Sequence, residues 1–350
     1  MSSVPTPRTR RAEGERVSFH IDATMYAEHN AVPRTVYGDL DRLVRGDLYY
    51  HYSTPVCAQR WLDLCEDPAY GHLALLPALD EAMPELVEAL STDRMTGSYV
   101  RVTSLGPGDG AVDERLLAGL ARDFGVFSYR GLDFSFDLLR RAAHRLATSA
   151  SVPETFPIEM VCGDFTDLEA GLARAPDRTG RQLFTLTGFT LGNYREDELL
   201  SSIGRLMHRG DYLLLDARLH DAGPITDTDL ASGAVPREIA ERYDAGAVRR
   251  FVFGPLEVAT TATVEEVEIG FETNRSLTRV PGALNLAIYC TGLDTTLRLT
   301  GDPVRRDRLD LAVTTSYDLS SLLRWLESTG FSTVWHRGFD HAAFLLLRRS

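Results

Sequence analysis

The feature that most constrains the fold is a regular alternation of apolar strands and amphipathic helices between residues 99 and 218. An apolar run, SYVRVTSLG, leads through a glycine-rich turn into a helix, and the same order repeats until a fifth strand, DYLLLDARL. Consecutive parallel strands need a crossover, usually a helix, to return to the same end of a sheet. The alternation therefore predicts an α/β fold whose parallel sheet carries helices on both faces.

The flanking segments differ from this pattern. Residues 17–65 hold short apolar pieces with many aromatic residues, and 221–305 contain β-branched runs that favour antiparallel strands, among them RRFVFG at 249–254. Residues 306–350 return to the strand–helix–strand order and are predicted to complete the α/β sheet. We therefore predict an α/β domain from 66–220 plus 306–350, and a β-rich substrate-binding domain from 17–65 plus 221–305. The polar residues 1–16 are predicted to form a disordered tail.

Charge and composition exclude several classes of function. All 37 basic residues are arginine, because the sequence contains no lysine. Reactions that need a lysine amine are therefore excluded, among them those of Schiff-base enzymes, P-loop NTPases and protein kinases. The 50 acidic residues bring the net charge to -13, which argues against a nucleic-acid or anionic-membrane partner. A cationic or zwitterionic small molecule fits this charge better.

The cysteines point to a reducing compartment. The four of them, Cys57, Cys65, Cys162 and Cys290, form no CxxC pair, so neither a disulfide framework nor a structural zinc site is predicted. No apolar run approaches the length of a membrane span. We therefore predict a cytoplasmic protein without a metal.

The strongest local motif is LGPGDG at residues 105–110, which follows the first strand of the alternating region and opens a helix. Glycines let the backbone pass close to a ligand. The G-x-G-x-G spacing is a variant of the dinucleotide fingerprint and is typical of proteins that bind S-adenosylmethionine (SAM). A glycine-rich turn without a ligand is the alternative interpretation.

Acidic residues end the next two strands. Asp133, within GLDFS, is placed to accept hydrogen bonds from both hydroxyls of a ribose. Asp164 and Phe165, within GDF, form an acid–aromatic pair suited to an adenine. A single aspartate at a strand end is more often a helix cap. Three consecutive strand ends of this kind favour a cofactor site.

The fourth strand runs into LTGFTLGNY at residues 186–194. In this topology, the reactive end of a cofactor meets the second substrate at that position. Asn193 offers both a hydrogen-bond donor and an acceptor to a zwitterion. A plain turn residue after Gly192 is an equally good interpretation of Asn193.

Together these motifs resemble the histidine-specific Nα-methyltransferases of ergothioneine biosynthesis and their relatives. The likeness rests on LGPGDG with the leucines downstream, on GLDFS, on GDF, and above all on LTGFTLGNY. Upstream, Leu48-Tyr49-Tyr50 followed by Thr54 is similar to a Tyr-Tyr element of that family. The resemblance spans most of the chain and implies a Rossmann-like class I SAM methyltransferase domain with a second, β-rich substrate-binding domain.

The resemblance also implies roles for individual residues. For the SAM cofactor it implies Gly106, Gly108, Asp133, Phe134, Ser135, Asp164, Phe165 and Thr187. For the substrate it implies Tyr49, Tyr50, Tyr52, Gly188, Asn193, Thr314 and Ser316. Within that set, Tyr50 and Asn193 would hold the amino-acid head and serve as the catalytic residues.

The sequence departs from the family pattern at two places. Members usually carry a lysine in the first helical turn after the glycine loop, where it meets the methionyl carboxylate of SAM. Val112 aligns there, which leaves Arg101 and Arg115 as candidate cations. Members also read the imidazole of histidine with a Glu and a Ser, which align with Ala312 and Thr314. The missing carboxylate argues against histidine as the substrate.

The first hypothesis is a SAM-dependent methyltransferase that acts on the nitrogen of a free amino acid, or a closely related small molecule other than histidine, in specialised metabolism. The alternatives are O- or C-methylation of another small molecule and a noncatalytic SAM-binding protein. Methyl transfer is an in-line displacement that requires alignment of the reactants rather than a metal. None of the nine histidines lies in a catalytic spacing, so we expect each to be structural or exposed.

Overall fold

An eight-stranded mixed sheet runs through the centre of the molecule. The computed structural model describes residues 16–21, 51–68, 70, 72, 74–92, 99–154, 157–165, 181–220, 243, 246–259, 263–273, 278–292, 297–299, 302–304 and 308–350. The predicted tail at 1–16 lies outside these residues except for its last position.

The strands and helices alternate in the first two thirds of the chain. The strands of the large sheet are β1 (Val17–Ile21), β2 (Tyr99–Leu105), β3 (Gly125–Asp133), β4 (Ile158–Cys162), β5 (Arg181–Leu186), β6 (Tyr212–Arg218), β12 (Phe331–Phe339) and β13 (Ala342–Arg349). The smaller sheets contain β7 (Glu268–Thr273), β8 (Leu284–Thr291), β9 (Leu297–Leu299), β10 (Asp302–Val304) and β11 (Arg308–Ser316). The helices are α1 (Pro55–Glu66), α2 (Leu75–Leu90), α3 (Ala111–Leu120), α4 (Phe136–Thr148), α5 (Glu196–Leu206), α6 (Gly246–Ala259) and α7 (Leu319–Leu326). Among the described residues, no helix combines the length and the apolar character that a bilayer crossing requires.

The order of the large sheet is β1-β4-β3-β2-β5-β6-β13-β12. Strands β1 to β6 run parallel to their neighbours, and β13 enters antiparallel between β6 and β12. The chain winds outward from β2 in one direction to β4 and then in the other direction to β6. Ligands of such sheets bind at the carboxyl ends of the strands, where the winding reverses. The predicted Rossmann-like α/β fold is confirmed.

Helices cover both faces of this sheet. Helices α2, α3 and α4 share one apolar core with the strands, and α5 and α7 share a second core on the opposite face. Every residue of β6 is buried, as expected for a central strand with packed layers above and below. The helices therefore hold the strand ends rigidly, which fixes the loops that follow them.

A separate antiparallel sheet has the order β11-β8-β7 and packs with α1 and α6 around a third apolar core. Two strands lie in a different sheet from the one we expected. Strand β11, predicted to complete the α/β sheet, pairs with β8, and β1, placed with the substrate-binding segments, pairs with β4. An apolar alternation specifies a strand but not its partner. If the chain were divided by sheet, β1 would belong to the α/β domain and β11 to the substrate-binding domain.

Two other local predictions were wrong. The run RRFVFG was taken as a strand because of its aromatic and β-branched residues, but it lies inside α6. Its buried residues Val248, Phe251 and Val252 recur at helical spacing, so packing of that face overrides strand propensity. Strand β12 was missed because a register shift between Thr333 and Trp335 interrupts the alternation of an edge strand.

The two larger sheets touch next to the fourth-strand loop. The 3₁₀ turn Thr190–Asn193 follows β5, and a Cβ on Gly192 would lie 2.5 Å from the carbonyl oxygen of Thr315 in β11. Nearby, the buried carboxylate of Glu196 accepts a hydrogen bond from the Tyr317 hydroxyl at 3.1 Å. The position of the loop is therefore set by β11 as well as by β5.

Gly192→Ala should destabilise the protein, because the added methyl group collides with backbone rather than with a flexible side chain. We expect the free energy of unfolding to fall by about 1–3 kcal/mol, the usual cost of overpacking, in a urea titration. Gly254→Ala is the matched control, since its Cβ would meet the Cys57 sulfur at an ordinary 3.6 Å within α6. An equal loss in both variants would contradict the proposed collision.

Candidate functional site

The carboxyl ends of the parallel strands open into a cavity at the point where the winding of the sheet reverses. Its walls come from the glycine loop, the tips of β3 to β5 and aromatic side chains near the start of the described chain. The lining residues are Tyr52, Trp61, Gly106, Gly108, Asp133, Phe134, Leu138, Phe165, Thr187, Gly188, Thr190, Asn193 and Tyr194. Residues far apart in sequence are therefore neighbours here.

The glycine loop presents bare backbone to the cavity. Gly108 has a φ of 56°, a left-handed conformation that suits glycine. A Cβ at this position would lie 2.4 Å from the indole of Trp61, so the ring from α1 rests directly on the loop. The loop then starts α3 at Gly110, and a helix start exposes N–H groups that favour an anionic partner.

Asp133 ends β3 at the edge of the cavity. One of its carboxylate oxygens accepts a hydrogen bond from the Ser135 backbone N–H at 2.8 Å. Burial raises the pKa of Asp133 from 3.8 to about 7, although the backbone N–H groups of Ser135, Gly108 and Phe134 oppose the rise. The carboxyl group therefore changes charge near neutral pH and can accept hydrogen bonds from ligand hydroxyls.

Aromatic rings surround the cavity. Phe165 lies 6.1 Å from Tyr194, and Tyr52 lies 5.6 Å from Phe134 and 6.3 Å from Trp61, all measured between ring centroids. Burial raises the pKa of Tyr52 well above 10, so its hydroxyl keeps its proton. Ring faces attract cations and stack on planar groups, so this wall suits a ligand with both.

The loop after β5 is held in a strained conformation by Asp216. Gly188 has a φ of 82°, and Phe189 has a φ of 62°, which is rare for an aromatic residue. The carboxylate of Asp216, on β6, accepts the N–H of Gly188 at 2.8 Å and that of Phe189 at 2.7 Å. Because burial dominates, the pKa of Asp216 rises from 3.8 to about 7. Asp216 therefore fixes the turn that leads into the segment carrying Asn193.

The structure brings most of the sequence-predicted residues to this cavity, but not all of them. Ser135 is buried behind the wall, where its side chain caps α4, and Asp164 is half-buried away from the lining. On β11, the Thr314 hydroxyl pairs with that of Tyr243 at 3.3 Å, and Ser316 is buried. Tyr49 and Tyr50 lie outside the described residues.

Sequence reasoning missed three side chains at the site. Asp216 was read only as part of a strand, Trp61 only as one aromatic residue among several, and His72 as structural or exposed. A Cβ on Gly188 would lie 3.5 Å from the His72 ring, and burial lowers the pKa of His72 to about 4. Only Asp216 left a signal, as an acid at the end of an otherwise apolar strand.

The two arginines proposed to replace the missing lysine are engaged elsewhere. Arg101 bonds Ser128 near the amino end of β2, and Arg115 pairs with Asp80 at 3.0 Å on the surface. Val112 is buried in the apolar core. The N–H groups of Gly106, Gly110 and Ala111 already donate hydrogen bonds within the protein, so the positive end of the α3 helix dipole is what the loop offers an anion at that position.

Asp216→Asn should remove a pH dependence of stability. The folded-state pKa of Asp216 is about 7 against an ordinary 3.8, so the folded chain retains a proton that the unfolded chain releases. The stability contributed by this group is fully present below about pH 4 and is lost as the pH rises through about 7. Between these limits, wild-type stability relative to the variant should fall by up to about 1.4 kcal/mol per pH unit.

Urea titrations of both proteins across this range measure the difference. The Asn side chain has one acceptor oxygen for the two backbone N–H groups, so we also expect a pH-independent offset of about 1–3 kcal/mol. Parallel pH profiles for the two proteins would show that Asp216 does not titrate in this range.

The chain matches solved structures of methyltransferases at low sequence identity and with low TM-scores. No protein-family model and no curated protein matches the chain. The magnesium protoporphyrin IX methyltransferase of Synechocystis PCC 6803, solved with SAM, is 13% identical over 89% of this chain and 97% of its own, with a TM-score of 0.42. The CcbJ methyltransferase of Streptomyces caelestis is 14% identical over 77% and 95%, with a TM-score of 0.40. A SAM-dependent methyltransferase of Clostridium acetobutylicum is 10% identical over 92% and 98%, with a TM-score of 0.38. These values are too low to support a particular reaction.

Proposed function

We propose that the chain is a SAM-dependent methyltransferase that acts on the nitrogen of a free amino acid or a closely related small molecule. The observation that carries the proposal is the meeting of Gly108, Asp133, Phe165 and Asn193 in one cavity. These residues come from four different strand ends. A glycine turn, a helix cap or a turn asparagine needs no ligand when it occurs alone. The presence of all four residues in one cavity is explained by a single ligand.

The residues present fit SAM at each of its parts. Asp133 would accept the ribose hydroxyls, and Phe165 would offer a ring for the adenine. The positive end of the α3 helix dipole, next to the glycine loop, would favour the methionyl carboxylate in place of a lysine. The rings of Tyr52 and Tyr194 line the same cavity and would face the positive sulfur.

SAM supplies an activated methyl group, and its transfer needs the acceptor in line with the breaking bond. The chain's own contribution is to align the acceptor and to exclude water. Asn193 can bind the acceptor amine and an oxygen at once, since its amide both donates and accepts hydrogen bonds. His72 is uncharged at neutral pH because burial lowers its pKa to about 4. It therefore adds no positive charge next to an amine that must lose a proton before it reacts.

The acceptor we propose is not histidine. The position at which the resembled family carries a glutamate is Ala312, which is buried in the apolar core of the three-stranded sheet. Thr314, two residues further, bonds to Tyr243. The Glu and Ser that read an imidazole in that family are therefore not reproduced at these two positions, and we expect the side chain of the acceptor to be a group other than an imidazole.

SAM affinity should rise with pH. The pKa of Asp133 is raised to about 7 by burial, and only its ionised form can accept from both ribose hydroxyls. We expect binding about tenfold tighter near pH 8 than near pH 6, following the ionised fraction. Isothermal calorimetry with S-adenosylhomocysteine measures the change. Asp133→Asn should bind weakly and without this pH dependence, and a wild-type affinity that is constant with pH would contradict the proposed role.

The proposed reaction is tested by a mass-spectrometric screen of free amino acids with labelled SAM. We expect a product one methyl group heavier from at least one amino acid, and none from histidine. Asn193→Ala should abolish this product while SAM affinity stays within about threefold, a difference below about 1 kcal/mol.

The outcomes separate the possible functions. Loss of SAM binding in Asn193→Ala would contradict a substrate-side role for that residue. Methylation of the oxygen or carbon of another small molecule, with no amino-acid product, would contradict N-methylation. SAM binding without any product in a wider screen would indicate a noncatalytic protein.

A further inference from the structure

Arg218, the last residue of β6, is a buried cation. Only 3% of its surface is exposed. One terminal nitrogen, Nη1, donates to the carbonyl oxygen of Tyr70 at 3.0 Å, while Nη2 is buried and has no hydrogen-bond partner among the described residues. A buried guanidinium N–H without an acceptor costs free energy, so its retention needs an explanation.

Two aromatic rings fix the plane of this guanidinium. Its central carbon lies 4.0 Å from the ring centroid of Phe189 and 4.7 Å from that of Tyr70. The N–H groups of a guanidinium point outward in its own plane. Rings that cover its faces therefore do not block hydrogen bonds made at its edge. An edge with a spare N–H matches the oxygens of a carboxylate.

Within the described part of the chain, no carboxylate forms an ion pair with Arg218. Asp216 lies two residues earlier on the same face of β6, but its oxygens accept the N–H groups of Gly188 and Phe189. When it is ionised, Asp216 lowers the cost of burying the arginine, but its oxygens are engaged by the loop. The rings hold the side chain in place, and the N–H groups of Nη2 are left without an acceptor among the described residues.

The location of Arg218 is on the acceptor side of the site. Phe189, on which it stacks, follows Gly188 in the cavity wall, and Asn193 lies one short turn further along the chain. Apart from Thr187, which follows β5, the residues assigned to the cofactor stand at the tips of β2 to β4, whereas Arg218 ends β6. An anion at Arg218 would thus belong to the molecule that receives the methyl group.

We propose that Arg218 binds a carboxylate of the methyl acceptor and so selects amino acids and other aminocarboxylates over neutral or purely cationic amines. The proposal rests on the proposed function and deepens it by naming the substrate class. The carboxylate can be the α-carboxylate or one on the acceptor's side chain, because both present the same two oxygens.

Ligand-induced thermal stabilisation of the full chain, measured with S-adenosylhomocysteine present, tests the proposal. The probes are the proteinogenic amino acids, the corresponding decarboxylated amines and the corresponding amino-acid amides. We expect at least one carboxylate probe to raise the melting temperature, with an affinity about tenfold or more above that of its decarboxylated or amidated partner. Persistence of binding in the amide of a dicarboxylic amino acid would assign the side-chain carboxylate.

Three variants give the comparison. Arg218→Met should abolish the preference for the carboxylate probe while the affinity for S-adenosylhomocysteine stays within about threefold. Arg218→Lys keeps the positive charge but lacks the paired N–H donors of a guanidinium, so it should retain part of the preference. This variant keeps the test decisive if Arg218→Met fails to fold. Arg349→Met is the matched control, because Arg349 stacks on Phe331 away from the site and its loss should leave the preference intact.

Each outcome decides for or against Arg218. The proposal is overturned if no carboxylate probe stabilises the wild-type protein, or if the preference survives in Arg218→Met. A parallel loss of S-adenosylhomocysteine affinity in that variant would overturn it in favour of a cofactor contact. Arg218-dependent carboxylate binding without any methylated product would support the binding role while contradicting the proposed reaction.

Discussion

The candidate site depends on two backbone hydrogen bonds that one buried carboxylate accepts. Asp216 accepts the N–H groups of Gly188 and Phe189, and so holds a turn that the sequence would not adopt by local preference. Left-handed backbone at an aromatic residue costs of order 1–3 kcal/mol and persists only when its surroundings enforce it. The cavity wall at Gly188, the position of Asn193 and the contact of the Phe189 ring with Arg218 all depend on that enforced turn.

Much of the site could be predicted because the carboxyl ends of parallel strands meet at one edge of a sheet. The glycine loop, Asp133, Phe165 and Asn193 each follow a recognisable strand, so their meeting follows from the topology. Trp61 lines the same cavity from α1, and His72 lies next to Gly188 of its wall, but neither belongs to a strand or a motif that would have predicted its position. Such side chains are positioned by long-range packing, which the local periodicity of the sequence does not indicate.

The sheets show the same limit. Alternating apolar residues identified β11 as a strand, but its partner is chosen by which faces need to be buried, and the α1–α6 core offered one. In α6 the aromatic and β-branched residues favoured a strand, yet the helical spacing of its buried face decided the outcome. In both cases tertiary contacts decided what the local pattern left open.

The position of β13 has a consequence for the synthesis of the protein. This strand lies between β6 and β12, so an emerging chain leaves one edge of β6 without a partner until residue 349 has been made. Strand β1 likewise waits for β4, whose residues follow it by more than a hundred positions. A nascent chain of this kind exposes apolar strand edges for most of its translation, a period in which chaperones rather than its own contacts must prevent aggregation.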